Sequence, residues 1–153
     1  MGNFLYTCVQ MAHNLGAVAV VGSPAVAWVL IRVNQAARRL GSAEAPDSST
    51  AAETLQRTLA WFTILAWSAQ VASGAAFGAT TYYLKSHLPE LSGVAFAALG
   101  VKVGCAIAGF SLALVYLRIA SRWSARMKLI VWQTLFALGL TALMAAAVLR
   151  WYG

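Results

Sequence analysis

Two ionisable side chains interrupt otherwise apolar stretches of this sequence: His13, in Gln10-Met11-Ala12-His13-Asn14-Leu15-Gly16, and Lys102, in Leu99-Gly100-Val101-Lys102-Val103-Gly104. A charge at the centre of a lipid-embedded helix costs at least about 2.5 kcal/mol, so each of these residues calls for a partner or a task. A neutral imidazole is a common ligand for haem iron and for copper, and its second ring nitrogen is usually held by an acceptor. The side-chain oxygens of Gln10 and Gln70 are the candidates for that acceptor. A lysine beside the imidazole can pair with a porphyrin propionate, act as a second axial ligand when neutral, or move a proton. Copper(I) prefers sulfur ligands. Cys105 follows Lys102 by one turn on the same helix face and is the sulfur that spacing offers. Cys8 and Met11 lie about 140° and 160° round the helix from His13 and cannot converge with it.

The elements that carry these residues are set by composition. Of 153 residues, 61% are apolar and only 10% charged, against about 25% charged in ordinary soluble domains. The apolar residues fall into four runs, each long enough to cross a bilayer core about 30 Å thick. The expected fold is therefore all-α and integral to the membrane: a single domain over residues 1–153, an antiparallel four-helix transmembrane bundle. Its helices are expected at about 4–31, 58–84, 94–117 and 129–149, and each short link makes neighbours antiparallel. Residues 34–56, with Gly41, Pro46, three serines and three of the four acidic residues, are expected as a polar loop. The first run has no basic residue before it and is too long for a signal peptide, so it is expected to stay in the mature protein.

Eight of the eleven basic residues flank the first loop or fill the link before the last helix. The positive-inside rule then puts that loop in the cytoplasm and both termini outside, in the periplasm for the inner (plasma) membrane of a bacterium. The net charge of +7 follows from topology and needs no nucleic-acid partner. The partner implied first is the lipid bilayer. Tyr6, Tyr82, Tyr83, Trp151 and Tyr152 collect at the outer ends, and Trp28, Trp61, Tyr116, Trp123 and Trp132 at the inner ends, as interfacial rings do.

Depth and facing bring the polar residues together. Counted from the outer boundary, His13 and Lys102 each lie about nine residues in, roughly 13 Å deep at about 1.5 Å per residue. Gln70 comes at about 20 Å, Ser73 near 16 Å and Thr141 near 12 Å. At 100° per residue, Gln10, His13, Gly16, Ala17, Val20 and Pro24 share one side of the first helix. Thr63, Ala66, Gln70, Ser73, Gly74 and Phe77 share one side of the second, Ala95, Ala98, Lys102, Cys105, Ala106 and Gly109 one side of the third. On the fourth helix Thr134, Ala137, Thr141, Met144 and Ala145 align. Gly100 and Gly104 flank Lys102 with the spacing of close helix packing, and Pro24 is placed to kink the first helix. Small faces of this kind suit plain helix packing, and they equally leave room for a flat cofactor or a metal path. His87 falls in an outer loop and is expected to be solvated.

The placing of His13 near the outer start of the first helix, of Lys102 in the third, and of a basic link before the last helix is similar to the membrane module of the copper-resistance protein D family and to the HemJ-type protoporphyrinogen oxidases. The resemblance implies a b-type haem at His13 and a functional role for the His13 and Lys102 pair. Val20-Val21-Gly22-Ser23-Pro24 stands where those oxidases carry an aromatic and Pro-Arg segment.

Some chemistries are excluded. The sequence has no P-loop, CxxC pair, CxxCH, HExxH, serine elbow or paired intramembrane carboxylates. With one intramembrane histidine, a bis-His haem within one chain is excluded too. Three functions fit the remainder. The first is a protein holding haem b or a related tetrapyrrole through His13, with Lys102, Gln70 and Gln10 around it, in a redox or electron-transfer role. The second is copper transport or resistance through His13, Cys105 and Met144. The third is a non-catalytic accessory subunit that packs with other membrane subunits or with copies of itself. Whether the protein is an enzyme is left open.

Overall fold

The computed structural model describes residues 2–40, 46–85 and 92–152. Four helices make up nearly all of them: α1 (Gly2–Arg39), α2 (Pro46–Lys85), α3 (Gly93–Ile119) and α4 (Ala125–Tyr152), with a 3-10 turn at Ala120–Arg122. Each is long and apolar enough to cross a membrane, over Tyr6–Ala37, Thr50–Tyr83, Gly93–Arg122 and Ala125–Tyr152. Helix is what such sequences must form in lipid, where every backbone N–H has to be bonded within its own segment. Pro24 is carried inside α1 without ending it.

The helices run further than their apolar cores. The loop expected over 34–56 is helical to Arg39 and again from Pro46. Proline suits the first position of a helix, where its missing N–H goes unneeded, and the Ala, Gln, Glu and Arg of these extensions are strong helix formers. With 38 and 40 residues, α1 and α2 are about 57 to 60 Å long, nearly twice the hydrocarbon thickness of about 30 Å. The remaining centre of that loop, 41–45, and His87 lie outside the described residues.

α1 packs on α2 and α4, and α3 packs on the same two, so α1 and α3 oppose one another across the diagonal. The Ser92 hydroxyl accepts from the Ala95 N–H at 3.2 Å and donates to the Tyr152 carbonyl at 2.8 Å, tying the start of α3 to the end of α4. At the other end of the bundle Lys128 of α4 meets Glu53 of α2 at 3.5 Å.

The half of the bundle towards Lys128 holds the packed core. Trp67, Trp132, Leu135, Ile31, Ile64, Val131 and Tyr116 fill it, against Ala27, Ala60 and Ala113. Glycine is required at two helix contacts. A Cβ on Gly109 would stand 2.5 Å from Trp67 Cε2, and one on Gly139 would stand 2.7 Å from the Val20 carbonyl oxygen.

Several facings differ from expectation. On α4 the buried residues are Val131, Trp132, Leu135, Gly139, Ala142 and Ala145, whereas Thr134, Ala137, Thr141 and Met144 are exposed. Large residues filled the interior there, because volume between helices must be packed whatever the polarity of the alternative face. For the same reason Trp132 and Tyr116 are core residues, not interfacial anchors. Gly74, Gly100 and Gly104 point outward, with no atom within 4 Å of a Cβ built on any of them. Among the described residues the glycines around Lys102 therefore make no contact with another helix.

Candidate functional site

Across the diagonal of the opposite half, Lys102 Nζ lies 3.3 Å from His13 Nε2. α1 presents the imidazole and α3 the ammonium, both half-buried and in one layer of the bundle. The other ring nitrogen, His13 Nδ1, is 2.8 Å from Ser73 Oγ on α2. With Lys102 protonated, these contacts set the tautomer. The ammonium can only donate, so Nε2 accepts, Nδ1 carries the ring proton and gives it to Ser73, and the Ser73 hydroxyl donates to the Ala69 carbonyl.

Gln70 holds the same turn of α1 by a different route. Its side-chain amide donates to the His13 main-chain carbonyl, which Gly16 makes possible: a Cβ at Gly16 would come within 2.9 Å of Gln70 Nε2. Both Gln70 and Ser73 are buried. Towards the helix end the imidazole meets the edge of Phe77 at 5.6 Å between ring centroids, and Phe77 meets Tyr6 at 5.4 Å. The imidazole is thus held by α2 through a hydroxyl on one nitrogen and a near-perpendicular aromatic ring beside it.

Of the residues expected around His13, the structure joins Lys102 and Gln70 to it and leaves two apart. Gln10 donates along the exposed surface of α1 to Asn14 Oδ1 at 3.1 Å, an i to i+4 bond that outcompetes any reach to the imidazole on its own helix. Cys105 is buried in an apolar cluster with Val20, Ala66, Trp67, Ala106 and Ala142. Among the described residues no three His, Cys, Asp or Glu side chains gather as a metal cluster would need. Thr141 bonds its own helix carbonyl at Ala137.

No family model, curated protein or solved structure matches the chain. What the site does must be argued from its own atoms. Ser73 is the partner that spacing alone did not single out. Its signal was present: it lies three residues beyond Gln70 on the polar face of α2, at nearly the depth of His13.

What the arrangement can do follows from its charges. Lys102 has no carboxylate within 4 Å among the described residues. Its ammonium gives one hydrogen to Nε2 and has two more to give, within a span where water is scarce. The centre therefore favours an anionic or strongly accepting group brought to it, and His13 offers one ligating nitrogen once Lys102 turns to that group.

Proposed function

We propose that this multi-pass membrane protein holds a b-type haem or a related tetrapyrrole in the half of the bundle carrying His13, with a redox or electron-transfer role. The observation that supports it is the fixing of His13 Nδ1 on Ser73, which leaves Nε2 facing a cation without a counter-charge among the described residues. His13 would be the axial ligand, with Ser73 keeping its tautomer and Gln70 its backbone in place. Lys102 would pair with a propionate. The bound group would supply a one-electron couple. The resemblance to the copper-resistance D and HemJ-type proteins favours the same pair. The clustering of basic residues at the opposite end favours a bacterial inner membrane with that end in the cytoplasm.

A second reading is favoured by the unbroken chain of hydrogen bonds from Lys102 through His13 and Ser73 to Ala69. Such a chain passes protons between Lys102 and His13 without any cofactor. Copper passage has weaker support, since His13 and Cys105 sit in separate surroundings.

Absorbance of the detergent-purified protein, produced with ample haem, tests the proposal. A Soret band is expected in the wild type, lost in His13→Ala and kept with a shifted reduction potential in Lys102→Met. A wild type with no Soret band sinks the haem reading and leaves the proton relay.

A further inference from the structure

At the basic end, α1, α2 and α4 enclose a cleft of about 240 Å³ whose lining includes Asn34, Gln35, Glu53, Gln56 and Lys128. Its floor is Gln56, 8% exposed, whose Oε1 accepts from the Tyr116 hydroxyl at 2.7 Å. That bond fixes the amide and leaves its NH₂ without an acceptor among the described residues. The amides of Asn34 and Gln35 have no partner among the described residues either. At the rim the Glu53 carboxylate and the Lys128 ammonium stand 3.5 Å apart, with side chains 60% and 19% exposed.

The Gln56 nitrogen is not fully enclosed, so its N–H groups are open to the cleft, and this floor offers donors to an accepting group. The walls decide which kind. A bare anion would meet the Glu53 carboxylate, and a bare cation would meet Lys128. A zwitterion satisfies both: its anionic oxygens take hydrogen bonds from Gln56 and Lys128 while its ammonium donates to Glu53 and to the amide oxygens of Asn34 or Gln35. The cleft also lies where the apolar spans end, since Gln35 is close to the end of the span Tyr6–Ala37, and Glu53 and Lys128 are close to the starts of theirs. That is headgroup depth.

We propose that the cleft binds the phosphoethanolamine headgroup of a membrane lipid. Primary ammonium is essential to the fit, because a choline group has no N–H to give Glu53 or the amides. Phosphatidylglycerol, an anion without a cation, would leave Glu53 facing a phosphate. The site is separate from the His13 centre, so its occupancy does not depend on any haem.

Native mass spectrometry of the detergent-purified full chain, offered phosphatidylethanolamine, phosphatidylcholine and phosphatidylglycerol with identical acyl chains, tests this. Phosphatidylethanolamine is expected to be retained roughly fivefold over the other two, the scale of a partly exposed charge contact. Glu53→Gln, at an exposed position, is expected to abolish the preference over phosphatidylcholine, and Lys128→Met and Asn34→Ala to lower retention. Equal retention of the three lipids, or a preference for phosphatidylglycerol, overturns the proposal. Displacement of the lipid by millimolar free phosphoethanolamine overturns the lipid source and assigns the cleft to a soluble zwitterion.

Discussion

The two halves of the bundle are held by different forces. From the middle of the bundle towards Lys128, the helices interlock by shape: Trp67 lies against the bare backbone of Gly109, Val20 against Gly139, and Leu135 and Trp132 are fully enclosed. Trp67 Nε1 even goes without a hydrogen-bond acceptor among the described residues. Around His13, by contrast, the contacts are hydrogen bonds with Ser73, Gln70 and Lys102, and among the described residues Gly100 and Gly104 of α3 meet no other helix. Lipid tails compete poorly with close-packed shape but give polar groups no alternative partner. The difference teaches that stability is placed in one half and chemistry in the other, so each can be altered with limited effect on its neighbour.

Overfilling the packed half gives the largest expected effect. Gly139→Ala puts a methyl against the backbone of α1, where no side-chain rotation can relieve it, and is expected to cost about 1–3 kcal/mol. Gly109→Ala must push the Trp67 indole out of an enclosed position and is expected to cost as much. Thermal unfolding followed by tryptophan fluorescence in detergent checks both, and an unchanged midpoint for Gly139→Ala breaks the claim that shape locks this half. Any absorbance from a group at His13 should persist in whatever fraction stays folded.

The contrast also explains what the sequence made legible. Helix number and the meeting of His13 with Lys102 came from length and depth, which depend only on a rise of about 1.5 Å per residue. Facing was harder. α1, α2 and α3 bury the sides marked by Gly16, Gln70 and Ala106, where polar and small residues coincide. On α4 the small polar side and the large apolar side competed, and the interior took Trp132 and Leu135. Apolarity gives no inward signal in lipid, so only volume decided it. Depth and facing put Ser73 beside Gln70, but chain length favours the amides of Gln10 and Gln70 as the acceptor, whereas Gln10 shares the helix of His13 and is taken by Asn14.

Lys102→Met sharpens the comparison from the other half. An ammonium in a span with no carboxylate partner among the described residues is a standing cost, and a methionine of similar length packs in its place. The imidazole loses one donor, a loss of well under the gain, so the variant is expected to be more stable by about 1 kcal/mol. Higher thermal stability combined with altered function would mark Lys102 as a residue kept for chemistry. A loss of stability instead would mean that the His13 contact contributes more than desolvation takes away.

The smallest effect is expected at Gly104→Ala, and its smallness is informative. In a water-exposed helix the change would gain up to about 1 kcal/mol through the lower entropy of the unfolded chain. In detergent or lipid the unfolded reference keeps its helices, so that gain shrinks to a few tenths. Among the described residues, nothing beyond the backbone of its own helix lies within 4 Å of the new methyl, so no packing term opposes it. The midpoint should therefore move by less than about 0.5 kcal/mol, against the 1–3 expected at Gly139 for the same added atom. Gly100 and Gly104 carry the spacing that brings transmembrane helices together, and a large loss at Gly104 would mean that this face is packed against another helix in the purified protein. Light scattering of wild type and variant separates the cases: an unchanged mass with an unchanged midpoint leaves the face to lipid, and a drop in mass places a helix there.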